Sequence, residues 1–370
     1  MKKFAVFMLA FIATVFLVFG IVYAKKSGLL KAYPDAVYMS SEMTGTRIAY
    51  QNLNESEKAV YTALYNGILQ KSEYIELPFE ISGKTYEKIY FNIEKQEPEF
   101  FFLAGDFYSA EKIRTAQIIY RDDLDSFEVR KNELESEKNK ILQKISGYDD
   151  FEKLLYIHDY IAENCTYIES GKDYIETAYG CLVEKNANCE GYAKAFKYLC
   201  DSIGIPCSVT VGITSDGINH AWNQVQIDGI WYNVDVTWDD CDDEFEKVHT
   251  YFLCSDKDFS SHTPDSDLMP VFKCVSDSEN YYIKKDAFIK IQDDAERILS
   301  NRLADISENI ELKFSDLYTY NEFKNVYMNN QRIFDILSEK NPDVLNSEIR
   351  CFMKEFEGNC VIILRFLRQV

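Results

Sequence analysis

No run of basic residues breaks the acidic balance of this 370-residue chain, whose formal net charge is −21. That balance argues against nucleic-acid phosphates or anionic lipid headgroups as partners. No two of the ten cysteines are spaced C-x-x-C, so a zinc ribbon or a thioredoxin-type motif has no support. Ten cysteines over this length are also too few for a disulfide scaffold. If one is a nucleophile, nine remain, so at least one more is free or pairs between chains. There is neither a fixed-period repeat nor a low-complexity linker, which leaves domain boundaries soft. What is abundant is apolar: 46% hydrophobic and 15% aromatic residues supply a large core and argue against general disorder. The length suits two or three domains, or one domain with substantial elaborations.

The chain starts "MKKFAVFMLAFIATVFLVFGIVYAKKSG". Two lysines precede an uncharged run from Phe4 to Ala24 that ends in Val22-Tyr23-Ala24, a tolerable cleavage pattern. The run exceeds the usual ~7–15 residue signal core and is long enough to span a bilayer. Residues 1–24 are therefore expected to be a signal peptide or a membrane anchor, with export as the expected outcome. The product is expected to be secreted or tethered to the outer face of the cytoplasmic membrane, touching the membrane only through that segment.

Further on, "NLNESEKAVYTALYNGIL" predicts a helix with Asn54 as N-cap, Glu57 three residues later, and Val60, Leu64 and Ile68 on one face. Strand-like runs follow in "SEYIELPFEI", "EFFFLAGDFY" and "RTAQIIYR". The charged stretch from Ser126 to Ile145 reads as a surface helix or a helical connector. "DDFEKLLYIHDYIAENCTY" predicts a helix capped by Asp149 or Asp150, with Phe151, Leu154, Leu155 and Ala162 on its apolar face. His158 shares that face and reads as a hydrogen-bonded core histidine. At the C-terminus, "ENIELKFSD", "NEFKNVYMNNQRIFDIL" and "EIRCFMKEFEGNCVIILRFL" suggest a small βαββ unit.

The densest signals lie between residues 181 and 240. In "NANCEGYAKAFKYLCDSIGIP", Ala193, Phe196, Leu199 and Ile203 recur at helical spacing, predicting one buried face. Gly204 suits the left-handed C-terminal position, and Pro206 prevents continuation. Cys189 then falls at the helix mouth, with Asn188 or Asn186 available to cap. Unpaired N–H groups and the helix dipole there favour the thiolate, the nucleophilic form of a cysteine. The same N–H groups could hold the oxyanion formed when a thiolate attacks a carbonyl. The bland alternative is a small buried hydrophobe, as Cys200 on the same helix illustrates.

A base is available downstream. "NHAWNQVQIDGIWYNVDVTWDD" places two β-rich runs around Asp228-Gly229, a strong hairpin signal. With those residues as the turn, Ile227, Val225, Asn223 and Ala221 face Ile230, Tyr232, Val234 and Val236 on a core-facing side. On the other side Trp222 faces Asp235 and His220 faces Thr237, so His220 and Asp235 are diagonal neighbours ~7–8 Å apart at Cβ. A carboxylate that fixes the histidine tautomer leaves the other ring nitrogen to act as base. The alternatives are a polar, solvent-facing sheet surface, or a metal held by Cys189, His220 and Asp235, for which no fourth ligand has helpful spacing.

"CEGYAKAFKYLCDSIGIPC" followed by "HAWNQVQIDGIWYNVDVTWDD" resembles the transglutaminase-like superfamily, in its bacterial transglutaminase/protease-like branch. The resemblance runs over residues 150–265, from "IHDYIAENCTY" to "YFLCSDKDFSSH". It implies an α+β, papain-like core in which a nucleophile helix packs on an antiparallel sheet. It assigns Cys189 as nucleophile, His220 as general base and acid, and Asp235 as orienter. Before the nucleophile, Ala187-Asn188 stands where the family has an apolar residue, which bears on the oxyanion surroundings. His262 matches a family position of uncertain role and is not read as catalytic. Trp222 and Trp238 either wall the groove or serve as packing, and Asn223 is expected to satisfy buried backbone groups.

The expected organisation is residues 1–24 as signal peptide or anchor, 25–148 as an N-terminal α/β flanking region, 149–265 as the transglutaminase-like catalytic domain, and 266–370 as a C-terminal α/β flanking region. The expected function is an exported cysteine acyl-transfer enzyme acting on peptide or glutamine side-chain amides of a protein or peptide substrate, possible targets lying in the cell envelope. Hydrolysis is preferred to cross-linking, and no metal or organic cofactor is required. The other class is a non-catalytic cell-surface binding module that retains the fold.

Overall fold

The computed structural model describes residues 13–20, 22–23, 33–121, 124–241, 245–346 and 348–369. The leader expected over 1–24 lies largely outside the described residues. Among the described residues no helix is long and apolar enough to cross a membrane. The described residues divide into two compact units, one drawn from those up to Met39, Asn54–Tyr90 and Asp106–Ile119, the other from Ser40–Leu53, Phe91–Gly105 and those from Tyr120 onward.

In the smaller unit, helix α1 (Glu55–Leu69) starts from a complete capping box in which Asn54 and Glu57 bind each other's backbone N–H. Its face of Val60, Leu64 and Ile68 is fully buried, as the spacing requires. Strand β1 (Tyr74–Ser82) pairs antiparallel with β3 (Lys112–Tyr120), and β2 (Leu103–Phe107) completes the sheet in the order β1-β3-β2. Between β1 and β2 lies helix α2 (Gly83–Gln96), which the strand reading of this region passed over; its residues up to Tyr90 belong to the smaller unit and those from Phe91 to the larger. Tyr86, Ile89, Tyr90 and Ile93 bury one of its faces at the helical period.

The larger unit holds the predicted connector as helix α3 (Phe127–Lys144) and then α4 (Asp150–Asn164). Asp149 caps α4 through a second capping box. Its buried stripe is Phe151, Leu154, Ile157, His158, Ile161 and Ala162, whereas Leu155 lies at the margin. Short strands β4 (Thr166–Tyr167) and β5 (Asn186–Ala187) pair in parallel, with helix α5 (Ala178–Leu182) between them. Helix α6 (Cys189–Ser202) follows. It differs from the one-faced helix read from the sequence, because every residue from Gly191 to Cys200 is buried. The two lysines in that stretch are paired inside: Lys197 binds Asp201 at 2.8 Å and the Cys207 carbonyl at 2.9 Å. Gly204 takes the left-handed conformation, φ +76°, as expected.

The sheet against α6 is formed by β6 (Cys207–Thr214), β7 (Asn219–Ile227), β8 (Ile230–Val234) and β9 (His262–Pro264), ordered β8-β7-β6-β9 and antiparallel throughout. Asp228 and Gly229 form the turn with positive φ at both, and the register from Ile227–Ile230 to Asn223–Val234 matches the expected pairing. Beyond Val234 the ladder stops, and the chain turns into the one-turn helix α7 (Val236–Asp239) with Asp235 as N-cap. The face expected to be polar and open is buried too: Trp222, Gln224 and Asn233 are each at most 3% exposed. Gln224 and Asn233 are satisfied there by Phe272, Asp256 and each other. Asn223 does bind backbone, donating to the Ala193 carbonyl at 2.9 Å.

The C-terminal βαββ unit is present as β11 (Ile310–Phe314), helices over Leu317–Phe323 and Arg332–Lys340, then β12 (Glu348–Phe356) and β13 (Val361–Gln369). A short β10 (Phe288–Ile289) pairs in parallel with β11 and extends the sheet to β10-β11-β13-β12. The chain is thus α+β with antiparallel sheets dominant.

Candidate active site

Cys189 is the first residue of α6 and is only partly buried, whereas six of the ten cysteines are fully buried. All ten are free thiols. Asn188 is the cap: its side-chain oxygen accepts from the N–H of Glu190 at 3.1 Å and of Gly191 at 3.2 Å. The residue that departs from the family pattern therefore takes two of the N–H groups at the helix mouth. The Cys189 N–H has no hydrogen-bond partner among the described residues, which leaves it as the free donor beside the thiol. Gly191 is needed for close packing here, since a Cβ would lie 2.2 Å from the Ile175 carbonyl oxygen.

His220 on β7 directs Nε2 at Asp235 Oδ2, 2.7 Å away, and also hydrogen-bonds with Cys189. With Nε2 engaged, Nδ1 is the ring nitrogen left to face the thiol. Burial pushes the imidazolium down, but the charge and hydrogen bond of Asp235, followed by the contact with Cys189, outweigh it and hold His220 at about 10. Asp235 is fully buried, which disfavours its charge, yet His220 and His262 hold its carboxyl well below the usual range. Its second oxygen accepts from the N–H groups of Thr237 and Trp238 at 3.0 and 3.2 Å. Helix capping thus fixes the rotamer of the orienting carboxylate.

Three features were not legible in the sequence as parts of this site. His262 Nε2 lies 3.0 Å from the same Asp235 oxygen, and its ring stacks on Phe259 at 3.9 Å and against Trp238 at 4.3 Å. Tyr167, opposite Ala187 in the β4–β5 pair, has its phenol raised by burial first and then by the negative charge of Cys189. Beside Cys189, Lys95 and Lys194 each bridge Glu94 and Glu190 at 2.5 to 2.8 Å. Burial raises Glu94, but the two lysines outweigh it and hold the carboxyl at about 2. This box neutralises Glu190, the residue after Cys189, which would otherwise oppose a thiolate. Glu190 and Lys194 are an i,i+4 pair that the sequence could have shown, whereas Glu94, Lys95, Tyr167 and His262 reach the site only through long-range folding.

A cavity of about 780 Å³ opens onto Cys189 and His220, walled by Phe91, Val211, Ile213, Pro264 and Leu268. Trp222 and Trp238 flank the His220 ring at 6.2 and 5.5 Å. A metal held by Cys189, His220 and Asp235 does not fit this arrangement. The group whose donor atoms converge is His220, Asp235 and His262, without Cys189, and the Asp235 oxygens already accept four N–H bonds.

The site thus joins a cysteine at a helix mouth, a histidine from the facing sheet and a carboxylate that caps α7 just after β8. Residues 139–236 match the family model of the Transglutaminase-like superfamily, and that stretch of the chain is transglutaminase-like. Kyphoscoliosis peptidase of Mus musculus is 30% identical over 122 residues, covering 29% of this chain and 18% of its own length. The Homo sapiens protein of that name is 34% identical over 68 residues, covering 15% and 10%. This chain thus spans less than a fifth of the length of the curated relatives it matches. Among solved structures, one described as a TGase is 19% identical with a TM-score of 0.28, over 39% of this chain and 38% of that one.

Proposed function

We propose that the protein is a cysteine acyl-transfer enzyme that cleaves peptide or glutamine side-chain amides through a thioester on Cys189. The observation that carries the reading is the junction of Cys189, His220 and Asp235 at the mouth of one cavity. The Cys189 sulfur attacks the amide carbon, and the Cys189 N–H is placed to meet the developing oxyanion. The C–N bond then breaks as His220 delivers its Nδ1 proton to the departing amine. In the second half a water gives one proton back to His220, its oxygen bonds to the thioester carbon, and the C–S bond breaks to release a carboxylic acid. We favour water as the second reactant, because the groove that opens onto Cys189 admits solvent. Export, with the chain secreted or tethered outside the membrane, belongs to the same proposal and is motivated by the apolar run from Phe4 to Ala24.

The test needs no substrate. A thiol without an ionised neighbour is about 0.3% thiolate at pH 6. Iodoacetamide should label Cys189 quickly at that pH, and peptide mass mapping should show the rate fall about a hundredfold in His220→Ala. If both proteins label at the same slow rate, Cys189 is not activated and a binding module becomes the better reading.

A further inference from the structure

The chain has four histidines, and the site above uses two of them. The other pair forms a second cluster where α4, β11 and the segment after α7 meet. His158 Nδ1 and His249 Nε2 lie 3.0 and 2.9 Å from one oxygen, Asp159 Oδ1. Behind each ring stands another carboxylate: Asp239 Oδ2 is 3.1 Å from His158 Nε2, and Glu311 Oε1 is 2.6 Å from His249 Nδ1. Each ring therefore stands between two carboxylates, one at either nitrogen, and the two rings share Asp159. Their centroids are 5.2 Å apart, and both are at most 5% exposed.

A neutral imidazole has one N–H and one lone pair, so each ring can donate to its far carboxylate and turn its near nitrogen to a cation. We propose that His158 Nδ1, His249 Nε2 and Asp159 Oδ1 bind a first-row divalent transition ion of the Zn²⁺ type. Their donor atoms lie within 4.8 Å of one another. For bonds of about 2.1 Å, ligands stand about 3.4 Å apart in a tetrahedral shell and about 3.0 Å apart at right angles, so the histidine–Asp159 edges of 3.0 and 2.9 Å suit a larger shell completed by water. Asp239 and Glu311 then play the part of carboxylates that orient metal-bound imidazoles through their far nitrogens. The Asp159 side chain is 26% exposed, which lets the ion enter and lets water complete its shell. Lys247, 3.7 Å from Asp159 Oδ2, also binds Glu163, so Oδ1 is left to the cation. The His220–Asp235–His262 group lacks this design: His262 Nδ1 faces the Ser261 hydroxyl, and no carboxylate stands behind either ring.

The ion acts as a brace. Asp239 ends α7, whose N-cap is Asp235, and it accepts the Tyr251 N–H at 3.0 Å, while the Asp235 N–H donates to the Tyr251 carbonyl at 3.0 Å. A cation that fixes His158 fixes Asp239 and, through α7, the carboxylate behind His220.

To test this, the full chain is stripped with a chelator, exposed to Zn²⁺, dialysed, and assayed for metal by mass spectrometry. One Zn²⁺ per chain is expected, with Tm raised about 3 °C at a hundredfold excess over Kd and lowered again by EDTA. His249→Gln should lower retention at least tenfold. Because that variant can fail to fold, Co²⁺ is also added to the unaltered chain and to Cys189→Ser. Visible d–d bands without a thiolate charge-transfer band support the site. The proposal is overturned by any of three results: no stoichiometric Zn²⁺ with an unchanged Tm, a thiolate charge-transfer band, or retention unaffected in a folded His249→Gln.

Discussion

Replacing Asp235 by asparagine changes one buried atom pair and should disable the site by a defined route. Asp235 Oδ2 accepts from both His220 and His262, while Oδ1 accepts from two backbone N–H groups. An asparagine retains one acceptor, which the α7 cap claims, and turns an NH₂ donor towards His220. His220 can avoid facing that donor with its own N–H only by moving its proton to Nδ1, so the neutral ring meets Cys189 with a donor in place of a base. Raising an imidazole from 6.5 to about 10 corresponds to about 5 kcal/mol at 1.36 kcal/mol per pH unit. Burial opposes that shift, and the Asp235 charge is first among the causes that raise it. Losing it should cost about 3–5 kcal/mol at neutral pH, the range for breaking a buried pair.

The sign follows from His220 lying above its ordinary value. Its contribution to stability is complete below pH 6.5 and fades as pH rises towards 10. The Tm gap between wild type and Asp235→Asn should therefore be widest near pH 6 and narrow steadily to pH 10. Alkylation of Cys189 at pH 6 should fall at least a hundredfold in the variant. Thermal melts across that pH range and peptide mass mapping provide the readouts. A folded Asp235→Asn that labels like wild type at pH 6, with a pH-independent gap, would refute the reasoning.

Gly191→Ala should destabilise by about 1–3 kcal/mol or more, because its Cβ meets the Ile175 carbonyl oxygen at 2.2 Å; denaturant melts measure it. Asn188→Ala removes the α6 cap and should cost about 1 kcal/mol by the same assay. Because it frees the Glu190 and Gly191 N–H groups beside the thiol, Cys189 alkylation in this variant should persist at pH 6. Lys197→Ala leaves Asp201, whose carboxyl burial already pushes up to about 6, without its ion pair. Stability should drop by about 3 kcal/mol at pH 7, with less loss at pH 5, where Asp201 is protonated.

The convergence of Cys189, His220 and Asp235 was legible because each sits next to a strong local signal. Cys189 precedes a helix bounded by Gly204 and Pro206, and His220 lies a countable distance from the Asp228-Gly229 turn. Parity along that hairpin carried the register to Asn223–Val234, where hydrogen-bond geometry enforces it. It failed one step later, since Asp235 reaches His220 as the N-cap of α7 and not as a strand residue. The contact was right and its mechanism was not. The α6 reading failed for a related reason: Lys194 and Lys197 look like a solvent face until the Glu94 and Asp201 carboxylates that neutralise them are in place.

Local chemistry along the chain was enough to specify the α+β character, the capping boxes at Asn54 and Asp149, the helix mouth at Cys189, and the hairpin that aims His220. Those features depend on hydrogen bonds and spacing within about twenty residues, where sequence order and spatial order nearly coincide. Tertiary structure alone decided which groups surround them: His262 on Asp235, the lysine–glutamate box beside Cys189, and the His158–Asp159–His249 cluster. Those contacts join residues tens of positions apart, and their energies depend on burial, which is defined only once the chain has closed around them.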